Sequence, residues 1–193
     1  MHCDSLCSGG WQVTYQATLF EFDEIDSDQI MLREKFEYLL AEILKGARDF
    51  YGERLVTLAV FGSVARGTAR FDSDVDLLLI CNSLPVGRLP RINEFGLLED
   101  RLEPILLALQ QQGISTSLSP MIKTPEEVQR GSPVFLDLVE DAQLLYDRDG
   151  FFAAFLDRLR DQLRKLAARR VWRGNAWYWD LKPDFKPGDV FKI

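Results

Sequence analysis

Histidine is almost absent from this chain: His2 is the only one in 193 residues. A serine-hydrolase triad needs an imidazole beside its nucleophile, and His2 lies in a stretch that reads as an extension, so Ser63 is not a hydrolase nucleophile. Cysteine is sparse too. Cys3, Cys7 and Cys81 form an odd set with no second metal-type pair, which argues against a disulfide framework. His2, Cys3 and Cys7 fall short of the four ligands a structural zinc takes. A reducing, cytoplasmic setting is expected. No apolar run approaches the roughly 18 residues that span a bilayer, and the first ten residues lack the basic start and apolar core of a signal peptide. Positive charge is outnumbered, 23 Lys and Arg against 30 Asp and Glu, for a net −7. That balance repels polyanions, so no DNA binding is expected.

What the chain does have is apolar material for a core: 47% of residues are hydrophobic, enough for one globular unit with terminal additions. Residues 1 to 27 show no sustained period and read as an N-terminal extension, with Met31 as a second candidate start. Residues 28 to 148 read as the main domain, and 149 to 193 as a C-terminal helix with a packed tail. From Ser27 or Asp28, Ile30, Phe36, Leu39, Leu40, Ile43 and Leu44 recur at helical spacing, predicting a helix that ends between Gly46 and Tyr51. "LVTLAVFG" and "DVDLLLIC" read as neighbouring strands joined by a turn, with room for one helical turn. A helix is expected from about Ile92 to Gln112, with Gly113 as its stop and a kink at Pro104. "ISTSLSPMI" is a third strand, and Thr124 with Pro125 and two acids opens a short helix. "SPVFLDLVEDA" looks helical, "QLLYD" a strand, and "GFFAAFLDRLRDQLRKLAARR" a strongly amphipathic helix. The tail, with Trp172, Trp177, Tyr178 and Trp179, shows no period. It is expected to pack as an ordered arm, because those rings would be a costly patch to leave in water.

Chemistry concentrates between residues 58 and 80. Residues two apart on a strand share a face, so Asp74 and Asp76 project together while Val75, Leu77 and Leu79 face the other way. Two close carboxylates raise each other's pKa unless a cation lies between them, and a hard divalent ion with oxygen ligands, Mg²⁺ or Mn²⁺, meets that need. Mg²⁺ commonly arrives with substrate phosphates. Gly62 permits close backbone approach and Ser63 offers a hydroxyl, a pairing suited to a phosphate. Gly67 adds a second flexible point, and Arg66 or Arg70 can neutralise phosphate charge. A hairpin with solvated aspartates is the plain alternative for an isolated Asp-x-Asp.

The full order, apolar strand, Gly62-Ser63, ten residues, then Asp74-Val75-Asp76, resembles the signature of the nucleotidyltransferase superfamily related to DNA polymerase β. It is most similar to small stand-alone nucleotidyltransferase-domain proteins, some of which pair as antitoxins with HEPN-type RNase toxins. The resemblance implies an α+β fold, a small mixed β-sheet flanked by helices. It implies that Gly62, Ser63, Arg66 and Gly67 bind a nucleoside triphosphate, ATP foremost, and that Asp74 and Asp76 hold the metal and are catalytic. The implied partner is a HEPN-type toxin or another protein acceptor, or a small-molecule hydroxyl. Family enzymes carry a third carboxylate on a later strand, where this chain has Ser115, Thr116 and Ser117. Glu126, Glu127, Asp137, Glu140 and Asp141 are the acids left to replace it, each otherwise a helix-start or solvated residue. The alternative is an antitoxin-like binding module with a weak or vestigial nucleotide site.

Overall fold

The computed structural model describes residues 27–174, 176–186 and 188–190. The extension, with His2, Cys3 and Cys7, lies outside the described residues except for Ser27, which opens helix α1 (Ser27–Tyr51). The chain continues through β1 (Leu55–Phe61), a single helical turn α2 (Gly62–Ala65), β2 (Val75–Cys81) and α3 (Arg88–Gln111). Then come β3 (Leu118–Lys123), α4 (Pro125–Gln129), α5 (Val134–Asp141), β4 (Gln143–Asp147) and α6 (Phe151–Lys165). A hairpin of β5 (Arg169–Arg173) and β6 (Ala176–Asp180) follows.

The main sheet has the order β3-β2-β1-β4; β1 runs antiparallel to β2 and β4, and β2 parallel to β3. It is the α+β fold with a small mixed sheet that the resemblance implied. Strand alternation divides two cores across it. Val75, Leu77, Leu79 and Cys81 of β2 join α1 and α3 on one side, while Leu78 and Ile80 join Phe135, Leu138, Phe152 and Leu156 of α5 and α6 on the other. Burial pushes the Cys81 thiol up to about 12, so it behaves as an inert apolar side chain. Helix α6 is tied to the sheet by Asp147, which accepts from the buried Thr57 hydroxyl (2.7 Å) and from the backbone N–H groups of Phe152 and Ala153 (3.0 and 2.9 Å).

Four expectations are corrected, the first being helix α6, expected to reach Arg170: it ends at Lys165, Ala167 turns the chain at φ 53°, and Arg169 and Arg170 pair in β5. Helix α3 starts at Arg88, four residues early, because Pro90 sits in its first turn, where a missing N–H costs nothing; Pro104 is carried inside the helix. Strand β3 starts at Leu118 because residues 115–117 bond instead to the loop before β2 and to its first residue: Ser115 N to Phe71 O (2.7 Å) and Val75 N to Ser117 O (2.8 Å). The tail, expected to be irregular, contains the β5–β6 hairpin, with Arg173 paired to Ala176 across a two-residue connection that begins at Gly174 (φ 61°). Its indoles do pack: both Trp177 and Trp179 donate Nε1–H to Asp137 Oδ1, at 2.7 and 2.9 Å. Trp172 and Tyr178 stay about half exposed. Among the described residues no helix is long and apolar enough to cross a membrane.

Candidate active site

Gly62 ends β1 and Asp76 faces it across the antiparallel pair, Phe61 registering with Asp76. Gly62 adopts φ 72°, and a Cβ built there would overlap Asp76 Oδ2 and lie 3.1 Å from its Cγ. Glycine is thus required twice, by the left-handed backbone and by the carboxylate lying against it. Asp76 sits on the α5–α6 side of β2, and Asp74 immediately precedes the strand, so the two acids and Gly62 meet at one corner of the sheet. Ser63 follows in α2, half-buried, and its carbonyl accepts from Thr68 N (2.9 Å). Gly67 turns the chain away at φ 69° with open space around it.

The acids are not equivalent. Partial burial raises the pKa of Asp76, and the Asp74 charge raises it further; the Ser119 hydroxyl and the Arg66 charge pull it back. Asp74 is exposed and accepts from Ser117 Oγ at 2.8 Å. The serine-rich third strand therefore supplies hydroxyls where an acid was sought: β2 and β3 are parallel with Asp76 beside Ser119, and Thr116 Oγ1 donates to Ser73 O (2.8 Å) to fix the approach. Sequence reading missed Ser117 and Ser119 as partners of the aspartates. The available signal was the parity of the serines with Asp74 and Asp76 once two strands are aligned.

The other acids are occupied elsewhere. Glu127 pairs with Arg91 (2.7 Å) and closes the capping box of α4; the Arg91 hydrogen bond holds its carboxyl below the usual range. Asp137 takes the two indoles, and Asp141 takes Arg66 (3.0 Å) and Arg170 (3.1 Å). Glu126 and Glu140 are exposed. Among the described residues no group of three or more His, Cys, Asp or Glu gathers that could hold a metal. A divalent cation still fits the Asp74–Asp76 corner: the donors are hard oxygens, and the charge crowding that raises Asp76 is what a cation relieves. Arg66, expected at a phosphate, is turned to Asp141 and lies over the Trp177 ring, 5.2 Å from its centroid. It braces the Gly62–Gly67 turn against α5 and β6. Arg70 lies in solvent beside Asp72 (3.5 Å).

A cleft of about 660 Å³ opens from Asp76 along β3, lined by Phe61, Ser119, Met121 and Lys123, and by Arg88 and Arg91 from the start of α3. The sequence reading named neither Arg88 nor Lys123.

The nucleotidyltransferase domain family matches residues 40–142, which contain this corner. The chain belongs to that family. A protein of Methanocaldococcus jannaschii, provisionally named a protein adenylyltransferase, is 32% identical over 141 residues, covering 72% of this chain and 90% of its own length. Membership makes the chain a nucleotidyltransferase, as its signature implied. Among solved structures, a toxin–antitoxin complex with AMP-PNP aligns with 66% of this chain and 92% of its own, at 16% identity and TM-score 0.41. A provisionally named nucleotidyltransferase of Sulfolobus solfataricus aligns with 63% of this chain and 85% of its own, at 19% identity and TM-score 0.31.

Proposed function

We propose that this nucleotidyltransferase moves a nucleoside monophosphate, AMP by its likeness to the archaeal relative, from a triphosphate to a hydroxyl of a protein or small molecule, with Mg²⁺ or Mn²⁺. The observation that carries the reading is the Asp76 carboxylate seated against Gly62, a glycine no other residue can replace without moving that carboxylate. In the reaction the acceptor oxygen bonds to the α-phosphorus, the bond to the α–β bridging oxygen breaks, pyrophosphate leaves, and the hydroxyl proton passes to a carboxylate or water beside the attacking oxygen. Asp74 and Asp76 hold the ion, with Ser117 and Ser119 fixing their orientation. A bound divalent ion neutralises charge that develops on the phosphoryl and leaving oxygens. Gly62 and Ser63 admit the phosphates at close range, and Arg66 keeps their turn in place. The chain's share is position and charge, with no covalent intermediate of its own. Incubation with labelled ATP, GTP, CTP or UTP, Mg²⁺ or Mn²⁺ and candidate acceptor proteins tests it. Label transfer that disappears in both Asp74→Asn and Asp76→Asn is expected; transfer that survives both overturns it.

A second reading rests on the hydroxyls of β3. With no third acid joining the pair among the described residues, the corner anchors one ion, and the half-exposed Trp172 and Tyr178 give the hairpin a face for a partner such as a HEPN-type toxin. On this reading the protein neutralises its partner by contact. Neutralisation retained by the double Asn variant supports it, and neutralisation lost with the fold intact returns the case to transfer.

A further inference from the structure

The cleft beside Asp76 runs the length of β3, and the transfer reading gives it no occupant. Ser119, Met121 and Lys123 alternate along the face that Asp76 shares, so the cleft extends four residues from the Asp76 register to Lys123, about 13 Å of strand. Asp76 stands at one end and Lys123 with Arg88 at the other. Arg91 in its wall is spent on Glu127, Pro85 O and Ile122 O, whereas no ion pair to Arg88 or Lys123 is found among the described residues. The Lys123 charge also reaches the Glu127 carboxylate in the cleft wall, but that acid is paired with Arg91, so with Arg88 the far end carries an excess of positive charge in a protein of net charge −7.

We infer that this cleft seats the acceptor, an extended peptide segment that presents a hydroxyl at Asp76 and an acidic side chain about four residues away, at Arg88 and Lys123. The inference rests on the transfer reading above. In-line displacement puts the attacking and leaving oxygens on opposite sides of the α-phosphorus. The transfer reading assigns the leaving pyrophosphate to Gly62 and Ser63, on the β1 side of Asp76; the opposite side of Asp76 faces β3, along which the cleft runs. The occupant does not extend the sheet by backbone pairing. Pro120 has no N–H, and Ile122 O is already taken by Arg91, so β3 offers a broken ladder. Side-chain charge and the apolar floor of Phe61 and Met121 must hold the segment. Two cations are too few for a nucleic-acid strand, whose binding depends on several phosphate contacts.

The test uses the full chain and fluorescent synthetic peptides with a central Tyr and, about four residues to either side, Glu, Gln or Lys. Anisotropy measures binding, and labelled ATP with Mn²⁺ measures AMP transfer to the Tyr. The Glu peptide is expected to bind and react best, by roughly 3- to 10-fold over Gln, with the advantage shrinking as salt rises. Arg88→Glu with Lys123→Glu is expected to invert the order so that the Lys peptide leads; a thermal melt confirms the variant is folded. Equal binding of the three peptides, or an order unchanged by the double reversal, overturns the inference. So does a single-stranded RNA oligomer that outcompetes the Glu peptide and receives the label. Binding that follows peptide charge without AMP transfer overturns the acceptor role. Mn²⁺-dependent ATP binding, measured by calorimetry alongside, then shows whether the transfer reading has failed with it.

Discussion

Replacing Gly62 by alanine separates backbone strain from damage at the corner. An L-residue held at φ 72° costs about 1–2 kcal/mol, because its Cβ crowds the following carbonyl. For a chain of this length that loss lowers Tm by roughly 2 to 8 °C. The added methyl also enters space held by the Asp76 carboxylate. Because that group is the end of a rotatable side chain, it yields at little further cost to stability, and the displacement falls on the carboxylate proposed to hold the metal. A shift of about 1 Å in a reacting constellation costs on the order of 100-fold in rate. Gly52 provides the control: it too has positive φ (51°), with nothing within 4 Å of an added Cβ, and it lies between α1 and β1, away from the corner. Calorimetric titration of Mn²⁺–ATP and a thermal melt on both variants give the answer. Both Gly→Ala variants are expected to melt a few degrees lower, while only Gly62→Ala loses ATP affinity, by roughly 10- to 100-fold. If Gly62→Ala binds Mn²⁺–ATP as well as Gly52→Ala does, the Gly62–Asp76 contact is not part of a nucleotide site.

Asp76→Asn tests the same corner through its charge. The raised pKa of Asp76 means that folding favours its protonated form, so without metal the Asp76 contribution to stability is fully present below the ordinary carboxylate range and is lost as pH rises through the raised folded value. At pH 7 in EDTA the Asn variant is expected to melt no lower than wild type, and Mn²⁺ should raise the wild-type Tm alone. Ser119→Asp places a third acid beside Asp76; its melt in EDTA should fall and its Mn²⁺ affinity rise, as read by calorimetry. Arg66→Ala removes the 3.0 Å pair to Asp141 and the contact with Trp177, a loss of about 1–2 kcal/mol, with faster amide exchange across β5 and β6 as the signature. Asp147→Ala orphans the buried Thr57 hydroxyl and two N–H groups of α6, and urea unfolding should show a loss of about 2–4 kcal/mol.

The parts legible in the sequence are those whose causes are local. Helix α1 announces itself by period, β1 and β2 by apolar runs closed at Gly62 and opened at Asp74, and α4 by the Thr124 cap and Pro125. The hairpin escaped because β5 and β6 carry arginines and aromatic rings on both faces. Its order comes from Asp137, about forty residues upstream, which no pattern within the tail encodes. The corner divides the same way. Gly62, Ser63, Asp74 and Asp76 stand within one strand-turn-strand unit, so spacing alone brings them together. Ser117 and Ser119 reach the aspartates only after the 24-residue helix α3 returns the chain in parallel register, 43 residues on in the case of Ser117 and Asp74.

That return path also changes what the corner can do. A hydroxyl on β3 donates to a carboxylate and favours its ionised form without adding a charge, whereas a third acid would add one and need a second cation to offset it. On the proposed reading Ser119 keeps Asp76 ready for one ion. It leaves the β3 side neutral near the transfer point and, with Lys123 and Arg88 beyond it, positive further along. An acceptor entering from that side meets no carboxylate on β3 itself, and Glu127 in the cleft wall is paired with Arg91. On the proposed reading, hydroxyls in place of a third acid and the charge of the cleft act together: the corner holds one ion without a second, and an acceptor that carries its own negative charge is drawn to the attacking position.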